Sequence, residues 1–236
     1  MKAIILGAGI GKRLLPLTKD IPKGLIEIGG KTILEHQIDS LVDCGVSDIV
    51  LVVGHGAESV KKKLGNRVRY IYNPDYKNTN NIFSLWLARD EMKDNDCLCF
   101  HSDILFQEKI LKDLIEHTGD ICLSVEEKDR QEMIRVKVKD KLITEIGKPI
   151  PYVEAYGNFI GLAKFSAIIC DGFIKKMTKY IQNNKTQMFF TAPINNLIKN
   201  NIQVHPILTN GLFWYDIDSK KDYEEAKQAL KRKILE

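Results

Sequence analysis

Two charged sets lie far apart in this chain, and each has residue types and spacing that could do chemistry. The first is basic and close to the N-terminus. The run Gly7-Ala8-Gly9-Ile10-Gly11-Lys12-Arg13-Leu14 carries two cations, and Lys23 follows behind Pro22, ten residues after Arg13. Glycines let a backbone approach a phosphate and turn its N–H groups toward it. The run fits neither of two familiar phosphate loops. The dinucleotide fingerprint G-x-G-x-x-G needs a small residue where Lys12 stands, and the P-loop fails because Leu6 holds its first Gly position and Arg13 its last. What remains is a glycine-rich turn with three cations around one backbone nest, which suits a triphosphate: Arg forks across phosphate oxygens and Lys acts as a point charge. The plainer alternative is a tight strand-to-loop turn with solvated cations.

The second set is acidic. Cys97 to His101 is a short apolar run followed by Ser102-Asp103-Ile104-Leu105. A carboxylate at the end of a buried strand is costly unless something compensates it. Mg²⁺ would do so, since it takes a few carboxylates together with substrate phosphates. Near the C-terminus, Asp216 and Asp218 stand two apart in Trp214-Tyr215-Asp216-Ile217-Asp218-Ser219, so on a strand they would share a face. The competing explanation is that Asp218 or Ser219 caps the helix that follows.

These groups need a scaffold, and the patterning supplies one. Lys2–Leu6, Asp48–Val53, Val68–Tyr72 and Cys97–His101 read as strands, the first two ending in Gly. Between them lie helical patterns: one opened by Thr32 with Glu35 as a capping box and continued by Ile33, Leu34, Gln37, Ile38, Leu41 and Val42, then Ala57–Leu64 and Ile82–Met92. This alternation predicts an α/β fold with a Rossmann-like, doubly wound, mixed and mostly parallel sheet, whose ligands sit at the strands' carboxyl ends. The second half predicts antiparallel strands at Ile121–Glu126, Ile134–Val138 and Leu142–Ile146, with a hairpin turn at Asp140-Lys141, and a further strand at Phe159–Lys164. Helices are expected over Ser166–Ile181, Ala192–Asn200 and Lys220–Leu235, and strands over Ile202–Ile207 and Leu212–Ile217. The expected organisation is one domain over residues 1–236. A nucleotide-binding part covers about 1–106, an inserted antiparallel acceptor-binding lobe about 107–212, and the metal segment with its closing helix 213–236.

Composition excludes several classes. With 236 residues, 44% hydrophobic and 28% charged, the chain can bury a core without staples. A net charge of +4 from 35 basic and 31 acidic residues argues against nucleic acid as a partner. The Lys61–Lys63 and Lys231–Lys233 stretches read as solvated helix faces. No run suits a membrane span or a signal peptide, so no membrane partner is expected. Five cysteines (Cys44, Cys97, Cys99, Cys122 and Cys170) lie in apolar stretches without zinc spacing, consistent with reduced, buried thiols in a cytoplasmic protein.

The run GAGIGKRLLPLTKDIPKGLIEIGGKTILEHQIDSL resembles the opening signature of sugar-phosphate and phosphocholine nucleotidyltransferases, G-x-G-x-R-[LM] with a later Pro-Lys. The resemblance implies that Arg13 and Lys23 are catalytic, binding the triphosphate and stabilising charge at the α-phosphorus. It implies a nucleotide site made of Leu6, Ala8, Gly9, Gly11, Lys12, Arg13, Lys23, Asn80 and Ser84. Lys12 stands where the family often has Thr or Ser. The segment WYDIDSKKDYEEA resembles the family's C-terminal acidic segment, which implies that Asp103 binds Mg²⁺ together with Asp216, Asp218 or both. Asn73-Pro74-Asp75-Tyr76 followed by NNIFSL is similar to the phosphocholine and aminoethylphosphonate cytidylyltransferase branch, so CTP is the expected donor. A sugar-1-phosphate or polyol-phosphate enzyme using UTP, CTP or GTP is the second reading, and a non-catalytic nucleotide sensor the third. Gly157-Asn158-Phe159-Ile160-Gly161 resembles an acceptor segment with Asn158 in place of the usual Glu, which removes a carboxylate expected to meet a cationic amine. The expected acceptor residues are Lys148, Glu154, Asn158, Phe190 and Trp214. The partners are then an NTP and a small phosphorylated acceptor, and the assembly a monomer or homodimer.

Overall fold

The structure is a computed structural model describing residues 1–14, 18, 21–127 and 133–235, without the side chains of 12 and 232–235. In chain order the first half contains β1 (Lys2–Gly7), β2 (Glu27–Ile28), β3 (Lys31–Thr32), α1 (Ile33–Asp43), β4 (Ile49–Val53), α2 (Ala57–Leu64), β5 (Arg69–Tyr72), α3 (Asn81–Leu87), α4 (Arg89–Met92), β6 (Cys97–His101) and β7 (Ile104–Phe106). Then follow α5 (Glu108–Glu116), β8 (Ile121–Glu126), β9 (Ile134–Lys139), β10 (Leu142–Gly147), β11 (Gly157–Phe165), α6 (Ala167–Gln182), α7 (Ala192–Ile198), β12 (Val204–Leu208), β13 (Trp214–Asp216) and α8 (Lys220–Leu235).

The apolar runs of the first half form the parallel centre β6-β1-β4-β5. Side chains alternate across β1. Ala3 and Ile5 face α1, α2 and α5, packing with Leu34, Ile38, Val60 and Leu111. Ile4 and Leu6 face the opposite helices, packing with Ile82, Leu85, Phe173 and Ile194. A sheet buried on both faces in this way is the doubly wound α/β arrangement. The expected antiparallel insertion comprises β8–β11, and it joins the sheet's edge through β11, antiparallel to β6, so that nine strands are continuous. β9 and β10 turn at Asp140-Lys141 with positive φ at both residues (51° and 64°), the two-residue geometry that matches strand twist. The predicted capping box is present: Glu35 N donates to Thr32 Oγ1 (3.1 Å), and Thr32 N donates to Glu35 Oε2 (2.8 Å).

The structure departs from the sequence reading in several places. The helix expected over Ile82–Met92 breaks at Ala88, whose N–H bonds back to Leu85, while the Arg89 guanidinium donates to the Trp86 carbonyl (2.9 Å) and stacks on its ring. The strand at Leu212–Ile217 shortens to β13. Cys44 is half-buried, while the other four cysteines are buried. Two short ribbons were not foreseen. β2 pairs with β3 and sets the entry to α1, and β7 pairs antiparallel with β13. A third, smaller apolar cluster lies beneath α8, built from Leu14, Ile26, Ile28, Ile33, Leu105, Ile217 and Ala226. Among the described residues no helix is long and apolar enough to cross a membrane.

One surface network ties sheet to helix. The Arg69 guanidinium donates to Glu91 (2.6 and 2.8 Å) and Asp48 (2.7 Å), and Lys2 donates to Glu91 (3.0 Å). Hydrogen bonds from Arg69 hold the Glu91 carboxyl down at about 2, against the effect of its burial and with help from Lys2. A carboxyl depressed in the folded state contributes stability above its ordinary pKa and loses it as pH falls toward the folded value. Glu91→Gln is therefore expected to cost about 1 kcal/mol near neutral pH, with the difference from the parent fading as pH falls from about 4.5 toward 2. Urea midpoints of both proteins across that range check the sign.

Candidate active site

The acidic residues meet because β7 and β13 pair. Asp216 lies opposite Ile104, one residue past Asp103. The Ile217 N–H then donates to the Asp103 carbonyl (3.0 Å), locking the two segments together. One oxygen from each of Asp103, Asp216 and Asp218 lies within 4.8 Å of the others. Ser219 caps α8: its N–H and hydroxyl donate to Asp222 Oδ2 (both 2.7 Å), and Asp222 N donates back to Ser219 Oγ (3.2 Å). With Ser219 doing the capping, the Asp218 carboxylate is left to face the cations.

Lys23 Nζ donates to Asp103 Oδ2 (2.9 Å) and also contacts Asp218 Oδ1. Arg13 forms an ion pair with Asp218. Gly11 makes room for Lys23: it has φ +67°, and a Cβ there would lie 2.6 Å from Lys23 Cγ. Burial alone would lower the Lys23 pKa, but Asp103, Asp216 and Asp218 outweigh it and raise it well above its ordinary value. Burial would raise Asp103, yet the Lys23 ammonium, by its charge and its hydrogen bond, pulls it below the usual carboxylate range. Asp216 moves the other way. Burial, then Asp103 and Asp218, push it well above that range. Asp216 Oδ1 is buried and has no hydrogen-bond partner among the described residues. Three hard oxygen donors gathered this closely, one of them orphaned, fit a hard divalent cation such as Mg²⁺.

These groups open onto a cavity of about 770 Å³, within the range of small-ligand sites. Leu6, Ala8, Gly9, Gly11, Arg13, Lys23, Asn80 and Ser84 all line it, so the structure brings nearly the whole expected nucleotide set together. The Lys12 side chain lies outside the described residues. Asn80 caps α3, accepting from Asn81 N (2.7 Å), and Ser84 Oγ accepts from the buried Asn73 Nδ2 (3.1 Å).

Of the expected acceptor residues, only Lys148 lines the cavity, its ammonium 5.0 Å from the centre of the Phe189 ring. The other four do not. Phe190 is buried with its ring edge-on to His101 and Phe159, and its neighbour Phe189 lines the cavity instead. Trp214 is buried, and its Nε1 donates to Glu126 Oε2 (3.0 Å). Asn158 is buried within β11. Glu154 is exposed and paired with Lys137 (2.5 Å). Strand pairing turns Asn158 and Trp214 into the core, Phe190 packs inward from a turn ahead of α7, and Glu154 stands on an exposed turn before β11.

Sequence reasoning missed His101 and Asn81, and both line the cavity. Asn81 Oδ1 accepts from Phe190 N (2.8 Å), and its Nδ2 lies 3.1 Å from His101 Nε2. The amide donor makes Nε2 the acceptor and leaves the imidazole proton on Nδ1. Burial lowers the His101 pKa, with Lys23 adding to it against Asp103 and Asp218, which favours that neutral form. Gly161, with φ +97°, bends β11 so that its backbone passes close to this ring; a Cβ would sit 3.0 Å from Nδ1. The signal available was a histidine closing a buried strand pattern at the sheet's carboxyl end, two residues before Asp103, where ligands of such sheets sit.

A mostly parallel doubly wound sheet with a phosphate-suited turn, paired cations and an acidic triad at its carboxyl edge defines a nucleotide-handling transferase class. The family model described as nucleotidyl transferase matches residues 2–233, and the chain belongs to that family. The choline-phosphate cytidylyltransferase of Streptococcus pneumoniae is 30% identical, covering 98% of this chain and 99% of its own. The CTP:phosphoglutamine cytidylyltransferase of Campylobacter jejuni is 28% identical over 95% and 98%. The solved structure of the CTP:phosphocholine cytidylyltransferase from Streptococcus pneumoniae superposes with a TM-score of 0.81 at 25% identity, covering 97% of this chain and 98% of that one.

Two outcomes follow from the geometry. Lys23→Met should lower metal-free stability by about 1–3 kcal/mol, because three carboxylates lose their ammonium, and Mg²⁺ should raise its melting temperature more than the parent's; thermal melts with and without Mg²⁺ read this. Trp214→Phe should lower stability by about 1–2 kcal/mol while leaving acceptor KM unchanged, which chemical denaturation and steady-state kinetics separate.

Proposed function

We propose that this chain is a Mg²⁺-dependent cytidylyltransferase that moves CMP from CTP to a small phosphorylated acceptor and releases pyrophosphate. The observation that carries the reading is the convergence of Asp103, Asp216 and Asp218 beside Lys23 and Arg13 in one cavity. CTP as donor is supported by the NNIFSL segment and by the likeness to the CTP:phosphoglutamine and CTP:phosphocholine enzymes.

The chemistry asks for positioning and charge neutralisation more than covalent work. An acceptor phosphate oxygen bonds to the α-phosphorus of CTP, the bond from that phosphorus to the bridging oxygen of the β-phosphate breaks, and pyrophosphate leaves with the electron pair. Arg13 and Lys23 bind the triphosphate and meet the charge that develops on it. Asp103, Asp216 and Asp218 hold Mg²⁺, which supplies Lewis-acid neutralisation of phosphate oxygens when bound. Asn80 and Ser84 lie along the nucleoside, and Lys148 binds the acceptor's phosphate. The neutral His101–Asn81 pair keeps the cavity wall polar without adding charge. No side chain is needed as nucleophile, because the acceptor phosphate is already anionic.

A pyrophosphate-release screen of CTP, UTP, GTP and ATP against phosphocholine, phosphoglutamine, aminoethylphosphonate and sugar phosphates tests the assignment. Release with CTP and one phosphorylated acceptor, abolished by EDTA and restored by Mg²⁺, is the expected result. Release with UTP and a sugar 1-phosphate instead would overturn the donor and acceptor classes. Lys23→Ala should cut turnover by about 100-fold or more while the protein still folds; undiminished pyrophosphate release by that variant would refute the role of Lys23.

A further inference from the structure

Gln37 is a polar residue on the apolar face of α1, flanked by the buried Ile33, Leu34, Ile38 and Leu41. It is 1% exposed. Its Nε2 donates to two main-chain carbonyls, His101 O and Ile104 O, each at 2.8 Å. Two carbonyl partners can only be met by the amide nitrogen, so the chemistry fixes which way the group points. Its Oε1 is buried and has no partner among the described residues. A buried acceptor left unpaired is costly, and an apolar side chain there would avoid that cost.

The two carbonyls have a particular place. His101 ends β6 and Ile104 begins β7, so they are the outer residues of the turn whose central pair is Ser102-Asp103. The same turn is held from β1 by Ser102 N donating to Leu6 O (3.2 Å), and from the C-terminal segment by Ile217 N donating to Asp103 O (3.0 Å). α1 supplies a further main-chain hold through Gln37. The geometry points to Gln37 as a positioning residue: its amide clamps both ends of the Asp103 turn and thereby fixes the aim of one metal-binding carboxylate. The inference rests on the reading of Asp103 as a Mg²⁺ ligand. Groups that orient a metal ligand without touching the metal commonly govern affinity for it.

Gln37→Met keeps the side-chain length and removes both donors. The Mg²⁺ concentration giving half-maximal pyrophosphate release should rise by about 10-fold or more, with KM for CTP at saturating Mg²⁺ essentially unchanged. In the metal-free, nucleotide-free protein, amide exchange at residues 102–104 should quicken by about 10-fold relative to amides of β1 and β4. A purely structural role would loosen the whole sheet together and leave the Mg²⁺ dependence alone. Gln37→Asn, which withdraws the amide by one methylene, serves as the second variant if the first does not fold. A folded variant with local exchange unchanged, or quickened equally throughout the sheet, overturns the clamp. Parent protein lacking Mg²⁺-dependent transfer would instead sink the functional reading, while the exchange measurement still decides the clamp alone.

Discussion

Three carboxylates held within 4.8 Å of one another repel, and the architecture around the cavity is arranged to keep them there regardless. Water alone would let such groups move apart. Here the β7–β13 ribbon and the Ile217-to-Asp103 hydrogen bond fix their backbones, and Lys23 and Arg13 supply the compensating charge. The opposed shifts of Asp103 and Asp216 follow from this. The ammonium stands directly on Asp103, whereas Asp216 keeps a buried oxygen without a partner among the described residues and feels its neighbours as repulsion. An acidic cluster already strained by its own charge would gain from a divalent cation, which turns the cost of holding it together into affinity.

The cations depend on the same scaffold. Lys23 follows Pro22 in a single tight turn, and its stem passes over Gly11, so the glycine-rich loop and the carboxylate cluster are fitted to each other through Lys23. The buried Asn73–Ser84 pair and the half-buried Asn81–His101 pair do similar work along the other wall, presenting polar atoms whose partners are already fixed. Polar groups fixed in this way need little reorganisation when charge develops beside them.

Much of this was legible in the sequence, and the pattern of what was not has physical causes. Continuous apolar runs disclosed the parallel strands β1, β4 and β6, the Thr32 and Glu35 spacing the capping box, and Asp140-Lys141 the hairpin turn, because each is a local signal. The acidic convergence was readable only as a spacing and a resemblance. The element that achieves it, β7, is three residues long and pairs with a segment more than a hundred residues away. The acceptor residues were the weakest part. Trp214 and Phe190 look like ligand-facing aromatics until the fold decides: one residue of register sets which face Trp214 takes, and Phe190 packs on His101 and Phe159 from a turn. Gln37 was visible at a core position, but its purpose depends on a turn that folds against it from another part of the chain.

The small cluster beneath α8 has a consequence of its own. Leu14 from the basic loop, Leu105 from the Asp103 side, Ile217 from between the two C-terminal aspartates and Ala226 from α8 share one miniature core, separate from the two large ones that sandwich the sheet. Few apolar side chains stabilise it, so it can open as a cooperative unit at a free energy well below global unfolding. Such an opening would release cation loop and acidic tail at once, disarming the site while the sheet stays intact. Loss of function on heating would then precede loss of fold.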